Sequence, residues 1–178
     1  MYLITAYFDD ESTYILQKHI NAIAKASNNT YMTDNKVPPH LTICQAEAPN
    51  VDVLRDGFKA FAEGLKSEEV TLASIGMLFP YVVYSAPVPN EYLLSMSKKA
   101  NEIISAIPDV SVNKYYRTDS FLPHVTLAKK LDEEQMLRAI SSMRSSFVPI
   151  NTNIVRVGLS KVNPHFDVDE VELKCDID

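Results

Sequence analysis

The tetrapeptides Pro39-His40-Leu41-Thr42 and Pro123-His124-Val125-Thr126 are nearly identical, and each is followed by an apolar residue, Ile43 or Leu127. On an extended strand, successive side chains point to opposite sides. Each histidine therefore shares a face with its threonine, and Leu41, Ile43, Val125 and Leu127 take the other face. The ordinary histidine pKa of about 6.5 allows neutral and protonated imidazole to coexist near neutrality. One ring can take a proton from water or a hydroxyl while the other gives one to a departing oxygen, each transfer contributing on the order of 10²–10⁴ in rate. Threonine hydroxyls can donate to the non-bridging oxygens of a phosphate and steady its developing charge. If the two segments face one another, His40 and His124 are candidate acid–base catalysts for a phosphodiester, with Thr42 and Thr126 as phosphate binders. One His-x-Thr on a strand is ordinary core patterning. Its recurrence with the same flanking residues, in a chain of four histidines, points to chemistry.

Four helices and seven strands are expected to position these residues. Helices are predicted after Asp9-Asp10-Glu11-Ser12 (Leu16, Ile20, Ile23), over Leu54, Phe58, Phe61 and Leu65, after Pro89-Asn90 (Leu93, Met96, Ala100, Ile103, Ile107), and after Asp132 (Leu137, Ile140, Met143, Phe147). These are one-face spacings. Asp132 with Gln135 reads as a capping box. Strand patterns fall at Tyr2 to Phe8, His40 to Gln45, Val70 to Met77, Tyr81 to Tyr84, Phe121 to Lys129, around Val155-Val157-Leu159, and around Val171-Leu173. The order strand–helix–strand–helix–strand occurs twice, at about 2–77 and 81–161, with a terminal strand at about 168–175. The whole chain, 1–178, is expected to form one bilobal α+β unit. Two antiparallel or mixed sheets would face a central cleft, with helices on the outer faces. Each histidine follows a long polar loop, Ser27 to Pro39 or Pro108 to Ser120, and long loops in compact domains are often functional.

Composition narrows the partners. Of 178 residues, 17 are basic and 23 acidic, a net charge of −6, so no broad basic face is available to grip a long duplex. A small anion needs only a few local donors. The two cysteines, Cys44 and Cys175, have no metal or redox spacing and are expected to be buried thiols in a reducing interior. The amino-terminal residues do not read as a signal peptide, and no apolar run nears the ~20 residues that span a bilayer. The expectations are a cytoplasmic monomer with no membrane association. Asp34 and Asp119 have no ligand spacing to a histidine, and no zinc motif, Walker loop or nucleophile elbow is present. No metal and no cofactor are expected.

The paired motifs resemble those of the two-histidine (2H) phosphoesterase superfamily, which includes 2′–5′ RNA ligase-like proteins and cyclic phosphodiesterases. Phe121-Leu122-Pro123-His124-Val125-Thr126-Leu127-Ala128-Lys129 is similar to that family's F-x-P-H-x-T-L-a-R run, with lysine in place of the common arginine. The resemblance extends along essentially the whole chain. It implies metal-free cleavage of 2′,3′-cyclic, 1″,2″-cyclic or 2′–5′ phosphodiesters in a small nucleotide or at an RNA terminus. It also implies that His40 and His124 form the acid–base pair and that Thr42 and Thr126 bind phosphate, and it leaves open which histidine is the base. An RNA-end ligase of the same family, a nucleotide-binding module without turnover, and a structural pseudo-dimer with both histidines facing the core are the alternatives.

Other residues are placed by pattern. Strand alternation puts Lys130, rather than Lys129, on the side of His124 and Thr126. Tyr115, Tyr116 and Arg117 in the second loop are candidate base-stacking and phosphate contacts; a solvated loop with rings tucked against the lobe is the competing reading. Phe79-Pro80 reads as a turn, with Phe79 and Tyr81 assigned to core packing. His19 is expected at the surface or boundary of the first helix, and His165, in Asn163-Pro164-His165-Phe166, in a late turn.

Overall fold

A computed structural model describes residues 1–162 and 164–175; Asn163, part of the turn expected around His165, lies outside the described residues. The order is β1 (Tyr2–Phe8), α1 (Asp10–Ser27), α2 (Tyr31–Asp34), β2 (Leu41–Glu47), α3 (Asp52–Ala62), β3 (Glu68–Leu78), β4 (Val82–Pro87), α4 (Glu91–Ser105), β5 (Ser111–Val112), β6 (Val125–Lys129), α5 (Glu133–Met143), β7 (Ile150–Lys161) and β8 (Phe166–Glu172). Helix starts follow the local chemistry. Asp9 accepts from Ser12 N and Asn90 from Leu93 N, and Asp132 with Gln135 forms the expected capping box.

The fold is α+β, and every pairing between the strands is antiparallel. The eight strands form one hydrogen-bonded set, in the order β1-β2-β6-β4-β3-β7-β8 with β1 also paired to β7 and β5 to β2. Two arms can be distinguished, β2-β1-β7-β8 and β6-β4-β3. They meet at two places. One is the single pair Leu41↔Val125 between β2 and β6. The other is β7, whose start pairs with β3 and whose remainder pairs with β1. Helices α3 and α4 pack together against β7 and β2, and α1 and α5 pack together against β6 and β4. Thus α1, from the first half of the chain, covers a strand of the second half, and α4 does the reverse.

The core is continuous. Leu16, Ile20 and Ile23 of α1, and Leu54, Phe58 and Phe61 of α3, are almost fully buried, as the helical spacing predicts. The apolar residues of both His-x-Thr segments, Leu41, Ile43, Val125 and Leu127, are completely buried. That burial pins the strand register, because a slip of one residue would turn every side chain to the wrong face.

Four sequence expectations are corrected. On α5 the buried stripe is Met136, Ala139 and Met143, while Leu137 is 67% exposed. The helix is rotated from the expected face because its tightest contact is with α1. Phe79 and Tyr81 are exposed rather than core residues, since they sit at the β3–β4 turn, beyond the reach of either helix layer. Cys175 is exposed, past the end of β8, while Cys44 is buried and its thiol pKa is pushed up to about 12 by that burial. His19 is buried rather than at the surface or boundary, with its ring 5.8 Å from that of Phe147.

Candidate active site between the two arms

His40 and His124 each sit one residue before a strand, and the same local device orients both. The residue before a proline is held extended, so Pro38 and Leu122 present their carbonyl oxygens back toward the imidazole two residues on. His40 Nδ1 lies 2.8 Å from Pro38 O, and His124 Nδ1 lies 2.8 Å from Leu122 O. A carbonyl only accepts, so Nδ1 of each ring carries the hydrogen. In the neutral ring Nε2 is then the free base. Two remote histidines are thereby set in one tautomer with the same nitrogen available.

The Leu41↔Val125 pair brings the two segments together. Extended by one residue either way, an antiparallel register sets His40 opposite Thr126 and Thr42 opposite His124. The buried pair points into the core, and the four polar side chains share the other face. All four line one cavity of about 450 Å³. A local two-fold relation thus places imidazole and hydroxyl alternately around a common space.

The rest of the wall comes from both polar loops and the β7–β8 turn. Tyr31, Met32, Asn35 and Val37 contribute from the first loop, Tyr116 from the second, and Pro164 and His165 from the turn. Lys129 and Lys130 close the far side. Among the described residues, no Asp or Glu lines this cavity and neither lysine has an ion-pair partner. A chain of net charge −6 therefore keeps three imidazoles, two ammonium groups and no carboxylate on the walls of this cavity. Such a wall is electrostatically suited to an anion.

Lys130 reaches the cavity as the alternation predicts, but so does Lys129. Strand β6 ends at Lys129 and Lys130 adopts a left-handed backbone (φ 60°), so alternation stops between them. Asn29 Nδ2 donates to Lys130 O at 3.0 Å, and the Lys130 ammonium lies 4.5 Å from the centroid of Tyr31. The first loop is thus tied to the end of the second motif.

Of the second-loop candidates, Tyr116 lines the cavity and Tyr115 and Arg117 do not. Tyr115 is 67% exposed, with the Lys114 ammonium over its ring, and Arg117 is exposed. They face out because the segment forms two short 3-10 turns that present only one ring inward. Buried Asn101 of α4 donates to the carbonyl of Tyr116 at 2.8 Å and fixes it. Burial raises the Tyr116 phenol pKa, and the adjacent Thr42 side chain works against that rise.

Electrostatics differ between the two histidines. Burial pushes His40 down to about 4, and His165 and His124 add to the fall; the Pro38 carbonyl and Asp167 oppose it. Burial also lowers His124, helped by Lys129 and opposed by the Leu122 carbonyl. Both rings are therefore neutral at pH 7. An entering phosphate, with its negative charge, favours protonation of one of them.

Sequence reasoning missed much of what surrounds the rings. Tyr84 meets His124 edge-on, with centroids 5.4 Å apart. Its ring lies over Gly76, where an added Cβ would fall 2.4 Å from Tyr84 Cζ, so glycine makes room for it. His40 is flanked by Tyr7 at 6.2 Å and stacked by His165 at 4.8 Å. A lone tyrosine in an apolar strand and a lone histidine in a late turn carry no sequence signal for this. Candidate metal ligands do not converge: among the described residues no group of three or more His, Cys, Asp or Glu side chains could hold an ion.

Comparison with known proteins agrees with the fold and the motifs. A search of curated proteins finds no match. Among solved structures, Escherichia coli LigT complexed with 3′-AMP is similar over 97% of both chains, at 13% identity and a TM-score of 0.66. A protein described as a phosphoesterase is similar over 97% of both chains, at 13% identity and a TM-score of 0.63. LigT complexed with phosphate is similar over 97% of this chain and 96% of its own, at 15% identity and a TM-score of 0.60. At such identities the likeness shows the fold. The 2′-5′ RNA ligase superfamily model matches residues 15–165, most of the chain and both His-x-Thr segments. This chain belongs to the 2′-5′ RNA ligase superfamily, as its paired motifs and their 2H phosphoesterase pattern imply.

Proposed function

We propose that this protein cleaves a phosphodiester of a small nucleotide or RNA terminus, of 2′,3′-cyclic, 1″,2″-cyclic or 2′–5′ type, by two-histidine acid–base catalysis that needs no metal ion. The observation that carries the reading is the shared cavity, in which two imidazoles with free Nε2 atoms alternate with two threonine hydroxyls. The phosphate sits between them, its non-bridging oxygens taking hydrogen bonds from Thr42 and Thr126 and its charge facing Lys129 and Lys130. In hydrolysis one neutral Nε2 takes a proton from water, whose oxygen attacks phosphorus. The bond to the leaving ribose oxygen breaks, and the other imidazole, protonated beside the bound anion, supplies its proton. The product is a phosphomonoester with a free hydroxyl. The more strongly depressed His40 is the natural base and His124 the acid in this direction. The roles exchange when the reaction runs in reverse. Tyr116 and Tyr31 offer aromatic faces for a nucleobase.

The test is product formation from 2′,3′-cyclic nucleotides, a 1″,2″-cyclic phosphate and a 2′–5′ dinucleotide, each with and without chelator. Monoester formation that survives chelator, with a bell-shaped pH profile, is expected. Tight nucleotide binding with no product across the panel defeats the proposal and leaves a binding module.

A further inference from the structure

The β7–β8 turn brings a third imidazole to the cavity, and the acid–base scheme above does not use it. His165 stacks on His40, with centroids 4.8 Å apart and planes 27° from parallel. His165 Nε2 lies 3.0 Å from the hydroxyl of Tyr7. That hydroxyl has one hydrogen and donates it to Asp167 Oδ1 at 2.7 Å. The hydrogen between Tyr7 and His165 therefore belongs to the imidazole, so His165 Nε2–H donates to the phenol oxygen. Asp167 also accepts from Ser160 Oγ at 2.5 Å and from Arg156 Nη1 at 3.2 Å. Ser160 is in turn bonded to Thr5 at 2.8 Å. Gly158 makes room for this cluster, since an added Cβ would lie 2.6 Å from Asp167 Oδ1. Tyr7, Thr5 and Ser160 are buried, and a buried polar network whose members are all bonded is rigid.

We propose that His165 is a positioning residue for His40: tethered through Tyr7 to Asp167, its ring is a fixed wall that sets the plane of the His40 imidazole. Among the described residues the His40 ring has one hydrogen bond, from Nδ1 to Pro38 O, and the ring can pivot about it. A contact on its face removes that freedom and leaves Nε2 aimed in one direction. Small misplacements of a reacting group cost large factors in rate. The kinetic part of this inference rests on the proposed phosphodiesterase reading; the structural part does not.

The groups that face His40 are His165 from the turn, Asp167 from β8, Tyr7 from β1, and His124; Arg156 from β7 lies over the Tyr7 ring, and Tyr116, Lys129 and Lys130 line the same cavity. Removing the His165 ring opens His40 to water and takes away a neighbour that resists its protonation, so His40 then binds its proton more tightly.

The experiment is an NMR titration of the histidine rings in ligand-free protein, with steady-state kinetics, for wild type, His165→Ala, His165→Phe and Tyr7→Phe. In His165→Ala the His40 titration moves to higher pH and that of His124 stays in place. Its kcat falls about tenfold with KM within about twofold. His165→Phe keeps a flat ring and retains more activity than His165→Ala. Adding Tyr7→Phe to His165→Ala costs nothing further in kcat, because the tether is already gone. An unmoved His40 titration in both folded His165 variants overturns the proposal. So does a raised KM at unchanged kcat, which makes His165 a substrate contact. A shifted His40 in a protein that turns over no phosphodiester supports positioning and sinks the catalytic reading instead.

Discussion

The two halves of the site share their backbone logic and differ in what stands behind each ring. Around His124 the support is simple: the Leu122 carbonyl on Nδ1, the Tyr84 edge, and Lys129 near by. Around His40 the same carbonyl bond is joined by a stacked imidazole and a chain of Tyr7, Asp167, Ser160 and Arg156. Of these, His165 and Asp167 come from β8 and the turn before it, which follow the second copy of the repeated order of elements, while Tyr7 comes from β1 and Ser160 and Arg156 from β7. The near-identical tetrads therefore account for a common tautomer. The unequal surroundings account for the lower proton affinity of His40. A duplicated frame thus holds its two histidines in unequal surroundings, because the strand that follows the second copy packs beside the histidine of the first.

The comparison can be broken most sharply at the rings themselves. His40→Ala and His124→Ala should each cut kcat by about 10² or more, and the double variant should fall well short of the product of the two losses, because the pair acts as a unit. A single-turnover assay of all three variants checks this; near-normal turnover in either single variant removes that half from the mechanism. Thr42→Val and Thr126→Val are the next largest, each lowering kcat about tenfold if both hydroxyls steady the developing charge. Loss in only one of them would show that phosphate leans on one arm.

The surroundings supply a finer contrast. Tyr7→Phe removes a hydroxyl that links Asp167 to His165, and kcat should drop about tenfold. The Tyr84 hydroxyl has no hydrogen bond among the described residues, so Tyr84→Phe should stay within about twofold in the same assay. Equal effects of the two changes would erase the proposed asymmetry. The last contrast is in stability. His40 falls from 6.5 to about 4 in the folded state. Between those values the unfolded chain binds the proton and the folded chain does not. Folding stability is thus complete above about 6.5 and declines as pH drops toward about 4. Denaturant titrations at a series of pH values should show a shallower slope for His40→Asn than for wild type, and an unchanged slope would argue that the His40 ring is well solvated.

Several features were legible because they depend on near neighbours in the chain. The stripes of α1 and α3, the capping box at Asp132, and the alternation of Leu41, Ile43, Val125 and Leu127 all follow from local periodicity and local hydrogen bonds. The α5 stripe was misread because Leu137 and Met136 are both apolar and only the packing of α1 chooses between them. Lys129 was set aside because alternation was carried one residue beyond the end of β6, where Lys130 turns left-handed.

By itself the sequence determined the chemistry on offer: two imidazoles and two hydroxyls, repeated with the same prolines, which hold each ring's Nδ1 against its own backbone. Only the tertiary structure decided that Leu41 pairs with Val125, that His165 stacks on His40, and that Asp167 braces Tyr7. Those contacts join strands far apart in the chain. They are selected by burial of whole faces and by which strand edges remain to be paired, and neither quantity is present in any short window of residues.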